Sequence, residues 1–293
     1  MRRICYAPAH NDGHERGSLL FLNGRADMLE KYIETLEGWS AKGWAVTGFD
    51  WRGQGGSGRL SGHPLLGHVD DFAVWIHDLT AVVADWQAQN PPPHVIVGHS
   101  MGGHLLLRAL AEGRVACDAA VLVAPMLGLN VKWLPASVGL AIADFMCAIT
   151  LSRRPVWPHE DLSQVMMALK QGRLTHSDQR FAGEMAVRWE HPELCVGAPS
   201  WGWLRAAYRS TRQLEAGPQI DTLTTPMLIL ATSADRLVSP RAIARFARRL
   251  PNARLHFYGK ESAHELLREV DNVRDDALAR IDAFLDEAAP PRP

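Results

Sequence analysis

Hydrophobic positions along the chain fall into two alternating patterns. Six short runs are almost continuously apolar: Ser18–Asn23 (SLLFLN), Trp44–Asp50 (WAVTGFD), His94–His99 (HVIVGH), Ala119–Pro125 (AAVLVAP), Pro226–Ser233 (PMLILATS) and Arg254–Gly259 (RLHFYG). Runs of this length and composition suit strands buried on both faces, as in a parallel sheet covered by helices. Between them lie segments whose apolar residues recur every three or four positions. Asp27–Gly43 predicts a helix with Asp27 as its cap. Asp70–Gln89 predicts a second, which stops before Pro91-Pro92-Pro93. A third follows Ser100, and Ser239–Leu250 and Ala263–Ala288 supply the last two. Strands alternating with helices imply an α/β fold with a mainly parallel central sheet flanked by helices.

One stretch breaks the alternation. From Leu127 to Gly217 there is no convincing strand. The segment reads as helices punctuated by Pro135, Pro155, Pro158, Pro192 and Pro199. It is rich in large apolar groups, among them Trp133, Trp157, Trp189, Trp201, Trp203, Met146, Met166, Met167 and Met185. The expected organisation is a core in two parts, residues 1–126 and 218–293, with an all-helical cap inserted at 127–217. A Trp- and Met-rich lid would form an apolar, adaptable pocket. Its most apolar run, Val138–Leu151, carries Asp144 and is too short to span a bilayer comfortably. Packing on the core or in a dimer is the preferred reading of that run, and contact with a membrane or micelle surface the other.

Composition narrows the function classes. The chain has 293 residues, with 47% apolar and 22% charged, the balance of an ordinary soluble enzyme. Its formal net charge of −1 carries no basic bias of the kind nucleic-acid binding leaves. Cys5, Cys117, Cys147 and Cys195 are far apart and form no C-x-x-C pair, so neither a disulfide framework nor a zinc site is expected. No apolar stretch follows Arg2-Arg3, so no signal peptide is expected. The expected location is the cytoplasm, with any membrane contact peripheral. No metal or cofactor is expected.

Candidate chemistry centres on Gly98-His99-Ser100-Met101-Gly102, a G-x-S-x-G set between a buried strand and a helix. That context places a serine on a strained strand-to-helix turn. Gly98 and Gly102 would be free of side chains where strand and helix crowd together. The backbone N–H of Met101 would point at a developing oxyanion. A serine hydroxyl needs a base, and the base an orienting acid, in the chain order Ser, Asp or Glu, His. Asp235 lies just past the carboxyl end of the PMLILATS run, and His264 in the loop after RLHFYG. Asp221 is a weaker acid candidate because it precedes its strand, and Glu261 because it sits so near the histidine. His256 lies within a strand, and His99 and His104 precede the acid. Glu265 reads as a first-turn helix charge. A second oxyanion donor is expected after the first strand, at the backbone N–H of Arg25 in Asn23-Gly24-Arg25; the ordinary alternative there is a simple Asn-Gly turn. The Arg25 side chain is expected at the surface or in an ion pair.

A competing motif is Gly53-Gln54-Gly55-Gly56-Ser57-Gly58, which fits G-x-G-x-x-G after a strand. A dinucleotide turn needs a helix starting within the motif. Gly62, Pro64 and Gly67 postpone any helix to about Asp70. The loop therefore reads as a scaffold turn tied down by Asp50 and Arg52.

Taken in order, FLNGRADMLEKY, GFDWRGQGGSG, GHSMGG, ADRLV and SAHE resemble the α/β-hydrolases. They are most similar to the serine aminopeptidase-like branch of monoacylglycerol lipases and bacterial lysophospholipases. The resemblance implies a Ser100–Asp235–His264 triad with oxyanion donors at Arg25 and Met101. It departs from the pattern at Asn23, where many relatives have His. It implies a serine hydrolase acting on a small acyl ester, most simply of a monoacyl lipid. A carboxylesterase, thioesterase or peptidase, and a non-catalytic binding protein of the same fold, are the alternatives.

Overall fold

The computed structural model describes residues 1–8, 15–131, 134–157 and 170–291. All six apolar runs form strands: β2 (Gly17–Leu22), β3 (Trp44–Phe49), β4 (His94–His99), β5 (Ala119–Val123), β6 (Met227–Thr232) and β7 (Ala253–Tyr258). A further strand, β1 (Arg3–Tyr6), precedes them. They form one seven-stranded sheet in the order β1-β3-β2-β4-β5-β6-β7. β1 pairs antiparallel with β3, and all the other pairs are parallel. β1 eluded the sequence because it is a half-exposed edge strand with no apolar run. The central strands β2, β4, β5 and β6 are almost wholly buried.

Helices cover both faces. One face carries α1 (Ile33–Ala41) and the C-terminal α8 (Asp271–Ala288), which share a core with Leu19, Phe21, Val97, Val121 and Leu230. The other carries α2 (Ala73–Gln89), α3 (Met101–Ala111) and α7 (Pro240–Arg249), packed over Leu20, Ile96, Leu122 and Ile229. Alternate residues of one strand thus feed opposite cores, as the pleat requires.

Between β5 and β6 lie α4 (Ala136–Ala148), α5 (Asp178–Glu190) and α6 (Trp201–Ala216). Among the described residues this segment holds helices and isolated bridges only, at Leu129, Pro155, Pro199 and Ser200. Gly139 and Ala143 let α4 lie close on α6. A Cβ at Gly139 would stand 2.4 Å from Tyr208 Oη. No helix of the described residues is long and apolar enough to cross a membrane.

Three local expectations need correction. Asp27 does not cap a helix: a 3₁₀ turn, Leu29–Tyr32, comes first, and no side chain caps it. The final helix begins at Asp271, not near Ala263, with only a 3₁₀ turn at Leu266–Arg268 before it. The aromatic lining expected of the helical segment is partly dispersed. Trp203 packs on Phe72 in the core and Trp189 is 84% exposed. Trp133, Pro158, Met166 and Met167 lie outside the described residues.

Candidate active site

The parallel strands end together at one edge, and the predicted site residues lie on the loops above it. At the end of β4 the chain turns sharply into α3, holding Ser100 at φ 52°, ψ −114°. This is a left-handed conformation that costs an L-residue on the order of 1–3 kcal/mol and needs its surroundings to hold it. The surroundings are tight. A Cβ at Gly98 would stand 2.8 Å from the Gly103 backbone, and one at Gly102 2.3 Å from the Leu22 carbonyl. Gly102 therefore makes room for the end of β2 as much as for its own turn. Ser100 N donates to Val123 O of β5 at 2.9 Å, which ties the turn to the neighbouring strand.

The structure brings Ser100, His264 and Asp235 together from three separate loops. His264 Nε2 lies 2.9 Å from Ser100 Oγ, and His264 Nδ1 lies 2.7 Å from Asp235 Oδ2. The carboxylate can only accept, so Nδ1 carries the proton and Nε2 faces the hydroxyl as acceptor. Asp235 is anchored by its other oxygen, which accepts from Leu237 N at 2.8 Å and Val238 N at 2.9 Å. Burial pushes the His264 pKa down, but the Asp235 charge and hydrogen bond outweigh it and hold the imidazole above its ordinary value. Burial likewise raises Asp235, and His264 with the two backbone amides more than reverses that.

The rival residues stand elsewhere. Asp221 pairs with Arg249 on the surface. Glu261 accepts from Gly259 N. His256 stacks edge-on against Tyr258. Buried His104 bonds Ser210 Oγ at 2.6 Å, and desolvation lowers its pKa to about 3.

The Asn23-Gly24-Arg25 loop closes over the serine. A Cβ at Gly24 would stand 3.1 Å from Ser100 Cβ. The amides flanking Arg25 are fixed, Gly24 N by Asp27 Oδ2 at 3.0 Å and Ala26 N by Gln54 Oε1 at 2.5 Å. Gln54 comes from the glycine-rich loop, which therefore braces this loop. Asp50 ties that loop down as expected, accepting from Gly56 N and Arg2. Arg52 instead reaches α2, pairing with Asp78. Asn23 turns its side chain away from the serine toward Asp50 Oδ1, at 3.3 Å. The Arg25 guanidinium is not simply a surface group: it donates to Gly197 O at 2.9 Å and lies over the Trp203 ring. Met101 opens α3, so helix geometry leaves its N–H without an intrahelical acceptor.

Beneath these loops lies a buried ionic network that sequence reasoning missed. Lys31 Nζ contacts Asp27 Oδ1 and Glu265 Oε1, each at 2.6 Å, and Glu184 Oε2 at 3.3 Å. Arg268 bridges Glu184, at 2.8 Å, and Glu265. Arg188 closes on the other Glu184 oxygen at 2.8 Å. Glu265 is thus a buried partner, not a solvated first-turn charge. Tyr32 Oη lies 2.9 Å from both Asp27 Oδ2 and His99 Nδ1, and the His99 ring sits 5.0 Å from that of His264. His99 is therefore a link between the network and the histidine loop. Burial opposes ionisation of Glu184, but Lys31, Arg188 and Arg268 bring its pKa down to about 2. Asp27 is held well below the carboxylate range against burial, by Lys31 and His99. The sequence signals were the local spacings Asp27–Lys31, Glu184–Arg188 and Glu265–Arg268.

Residues 13–271 match the family model described as Hydrolase_4, serine aminopeptidase S33. Lysophospholipase L2 of Escherichia coli strain K12 is 31% identical over 291 residues, covering 92% of this chain and 81% of the relative. The probable lysophospholipase L2 of Haemophilus influenzae is 27% identical, covering 92% of this chain and 84% of its own. Among solved structures, a soluble variant of monoglyceride lipase from Saccharomyces cerevisiae, in complex with a substrate analog, superposes with a TM-score of 0.76. It shares 18% identity and covers 98% of this chain and 91% of its own, a likeness of fold. The chain belongs to the Hydrolase_4 (serine aminopeptidase, S33) family, in the α/β-hydrolase branch of lysophospholipases and monoacylglycerol lipases.

Proposed function

We propose that this protein hydrolyses carboxylic esters of monoacyl lipids through an acyl-enzyme on Ser100. The observation that carries the proposal is the unbroken hydrogen-bonded chain from Ser100 Oγ through His264 to Asp235, on a turn held at positive φ. Ser100 Oγ attacks the ester carbonyl while His264 Nε2 takes its proton. The oxyanion is met by the amides of Met101 and Arg25. When the tetrahedral intermediate collapses, the ester C–O bond breaks and His264 returns the proton to the leaving alcohol. Water, deprotonated by the same nitrogen, then attacks the acyl carbonyl and Ser100 leaves with the proton as a fatty acid is released. Asp235 fixes the imidazole tautomer and stabilises the imidazolium.

The choice of a monoacyl lipid is supported by the names of the relatives, a lysophospholipase and a monoglyceride lipase. We divide the chain into a core, 1–126 and 218–293, and a helical lid, 127–217. α4 and the residue that follows it turn Val138, Ile142, Phe145 and Ile149 outward on one face, with Phe145 63% exposed, while Gly139 and Ala143 face inward. The two readings of this apolar run therefore combine: one face packs, and the other suits a membrane or micelle surface. Four unpaired thiols fit a cytoplasmic location.

The test is fatty-acid release from a panel of lysophospholipids and monoacylglycerols, with Ser100→Ala as control. Release by the native chain and its loss in the variant are expected. Persistent release in Ser100→Ala, or failure of a fluorophosphonate probe to label Ser100, rejects the assignment.

A further inference from the structure

The glycine-rich segment after β3 meets the Asn23–Ala26 loop in two places. Trp51 Nε1, at the base of the segment, donates to Asn23 O at 2.9 Å, and Gln54 Oε1 accepts from Ala26 N at 2.5 Å. The two contacts fall on separate peptide groups. Asn23 O and Gly24 N share one peptide plane, and Asp27 Oδ2 holds Gly24 N in turn at 3.0 Å. Ala26 N belongs to the plane that follows Arg25. The Gly24–Arg25 peptide, which carries the Arg25 N–H, lies between them. Peptide planes are rigid, so with both neighbours fixed only the torsions at Gly24 and Arg25 set the direction of that N–H. The hold on the second plane matters because Ala26 has a φ of 59°, in the left-handed region that an L-residue keeps only under constraint. Gln54 Oε1 takes its N–H from one side, and Arg188 Nη2 reaches its carbonyl at 3.3 Å from the other.

Gln54 is itself firmly placed and is 3% exposed. Its loop closes on Asp50, which accepts from Gly56 N at 2.9 Å. Gly55 is required there at φ 49°, since a Cβ would stand 2.3 Å from Asp50 Cγ. Arg59 fastens the loop to the helical segment, donating to Gly55 O at 2.8 Å and Cys195 O at 2.9 Å. Ala26 N can only donate, so the Gln54 amide must turn its oxygen toward it. The Nε2 of that amide is buried with no hydrogen-bond partner among the described residues. An unpaired buried N–H group works against stability, so the use of this side chain lies in its contact with Ala26. We propose that Gln54 is a positioning residue for the oxyanion hole, aiming the Arg25 N–H through Ala26 at the oxyanion formed when Ser100 attacks. The inference rests on the hydrolase reading above and gives the glycine-rich loop a part in that site. Gln54 acts on the transition state, because the direction of the donor counts once charge has developed on the substrate oxygen.

The experiment compares native protein, Gln54→Met and Gln54→Glu on p-nitrophenyl butyrate. Active sites are counted by the final stoichiometry of fluorophosphonate labelling, which leaves out any unfolded fraction. Met matches the length of Gln without an oxygen acceptor, and Glu keeps the acceptor. Gln54→Met should lower kcat per site roughly ten- to hundredfold, a part of the 10²–10³ lost when an oxyanion donor is deleted, with KM changed by less than about threefold. Inhibition by a trifluoromethyl ketone, whose hemiketal on Ser100 carries the same oxyanion, should weaken by a similar factor. The acid limb of the pH–rate profile, set by His264, should keep its midpoint, and Gln54→Glu should recover most of the lost rate. Should Gln54→Met not fold, Gln54→Asn carries the same expectations, since its shorter arm withdraws the oxygen from Ala26 N. A native kcat per site in the Met or Asn variant overturns the proposal. So does a rate loss accompanied by a shifted acid limb, which places the damage at His264, and so does Gln54→Glu turning over no faster than Gln54→Met. These outcomes remove only the positioning role. Turnover of no ester by the native protein, or turnover that survives Ser100→Ala, removes the hydrolase reading itself.

Discussion

At the scale of single residues, the site turns on the protonation of His264. In the proposed mechanism its base form carries the reaction, and Asp235 holds its pKa above the ordinary histidine value. Activity should therefore rise with pH through a midpoint above about 6.5, the unperturbed value. Asp235→Asn should shift that acid limb downward and lower kcat on the order of 10⁴-fold, both read from a pH–rate profile on a soluble ester. Ser100→Ala should cost on the order of 10⁶ in turnover. A second residue-scale prediction concerns Gly102. A methyl there meets the Leu22 carbonyl at 2.3 Å, in backbone that cannot step aside. Gly102→Ala should destabilise the fold by roughly 3 kcal/mol, measured by urea denaturation, and should slow fluorophosphonate labelling of Ser100.

At the scale of elements, the buried ions join three pieces of chain that sequence keeps far apart: the loop after β2, helix α5 and the segment carrying His264. Removing one member of such a network leaves its partners charged and buried, at a cost of about 3–5 kcal/mol. Glu184→Gln, which takes one carboxylate away from Lys31, Arg188 and Arg268, should fall toward the lower end of that range by chemical denaturation. The pH dependence follows from the same shift. Glu184 titrates near its ordinary value of 4.5 when unfolded and at about 2 when folded. Its stabilisation is then complete above pH 4.5 and is lost as pH falls toward 2. The native protein should lose melting temperature across that window, and Glu184→Gln should lose less.

At the scale of the whole molecule, the two faces of α4 differ, one packed and the other exposed. α4 is packed on α6 by small residues and turns a stripe of large apolar ones outward. Ile142→Asp combined with Phe145→Asp should weaken sedimentation with phospholipid vesicles severalfold. The same change should lower activity on dispersed lipid relative to p-nitrophenyl butyrate. Equal vesicle binding by variant and native protein would assign the stripe to another contact.

Much of this architecture was written locally. Six buried strands were readable as apolar runs because a strand covered on both faces has no polar side to conceal it. The G-x-S-x-G turn was readable because a strand, a glycine-flanked serine and a helix follow one another without interruption. The edge strand β1 lacked such a run, and the helix expected from Ala263 stops short because Glu265, Leu266 and Arg268 are buried in a tertiary loop. Charged side chains were the least legible. Lys31, Glu184 and Arg268 have the composition of solvated helix surfaces, and nothing nearby in sequence says otherwise. Their partners lie up to 234 residues away. Periodicity and turn chemistry depend on near neighbours, so the sequence by itself determined the strands, the helices and the order of the candidate groups. Ion pairing and the bracing of the Asn23–Ala26 loop by Gln54 depend on which distant segments meet. Only the tertiary structure decided those.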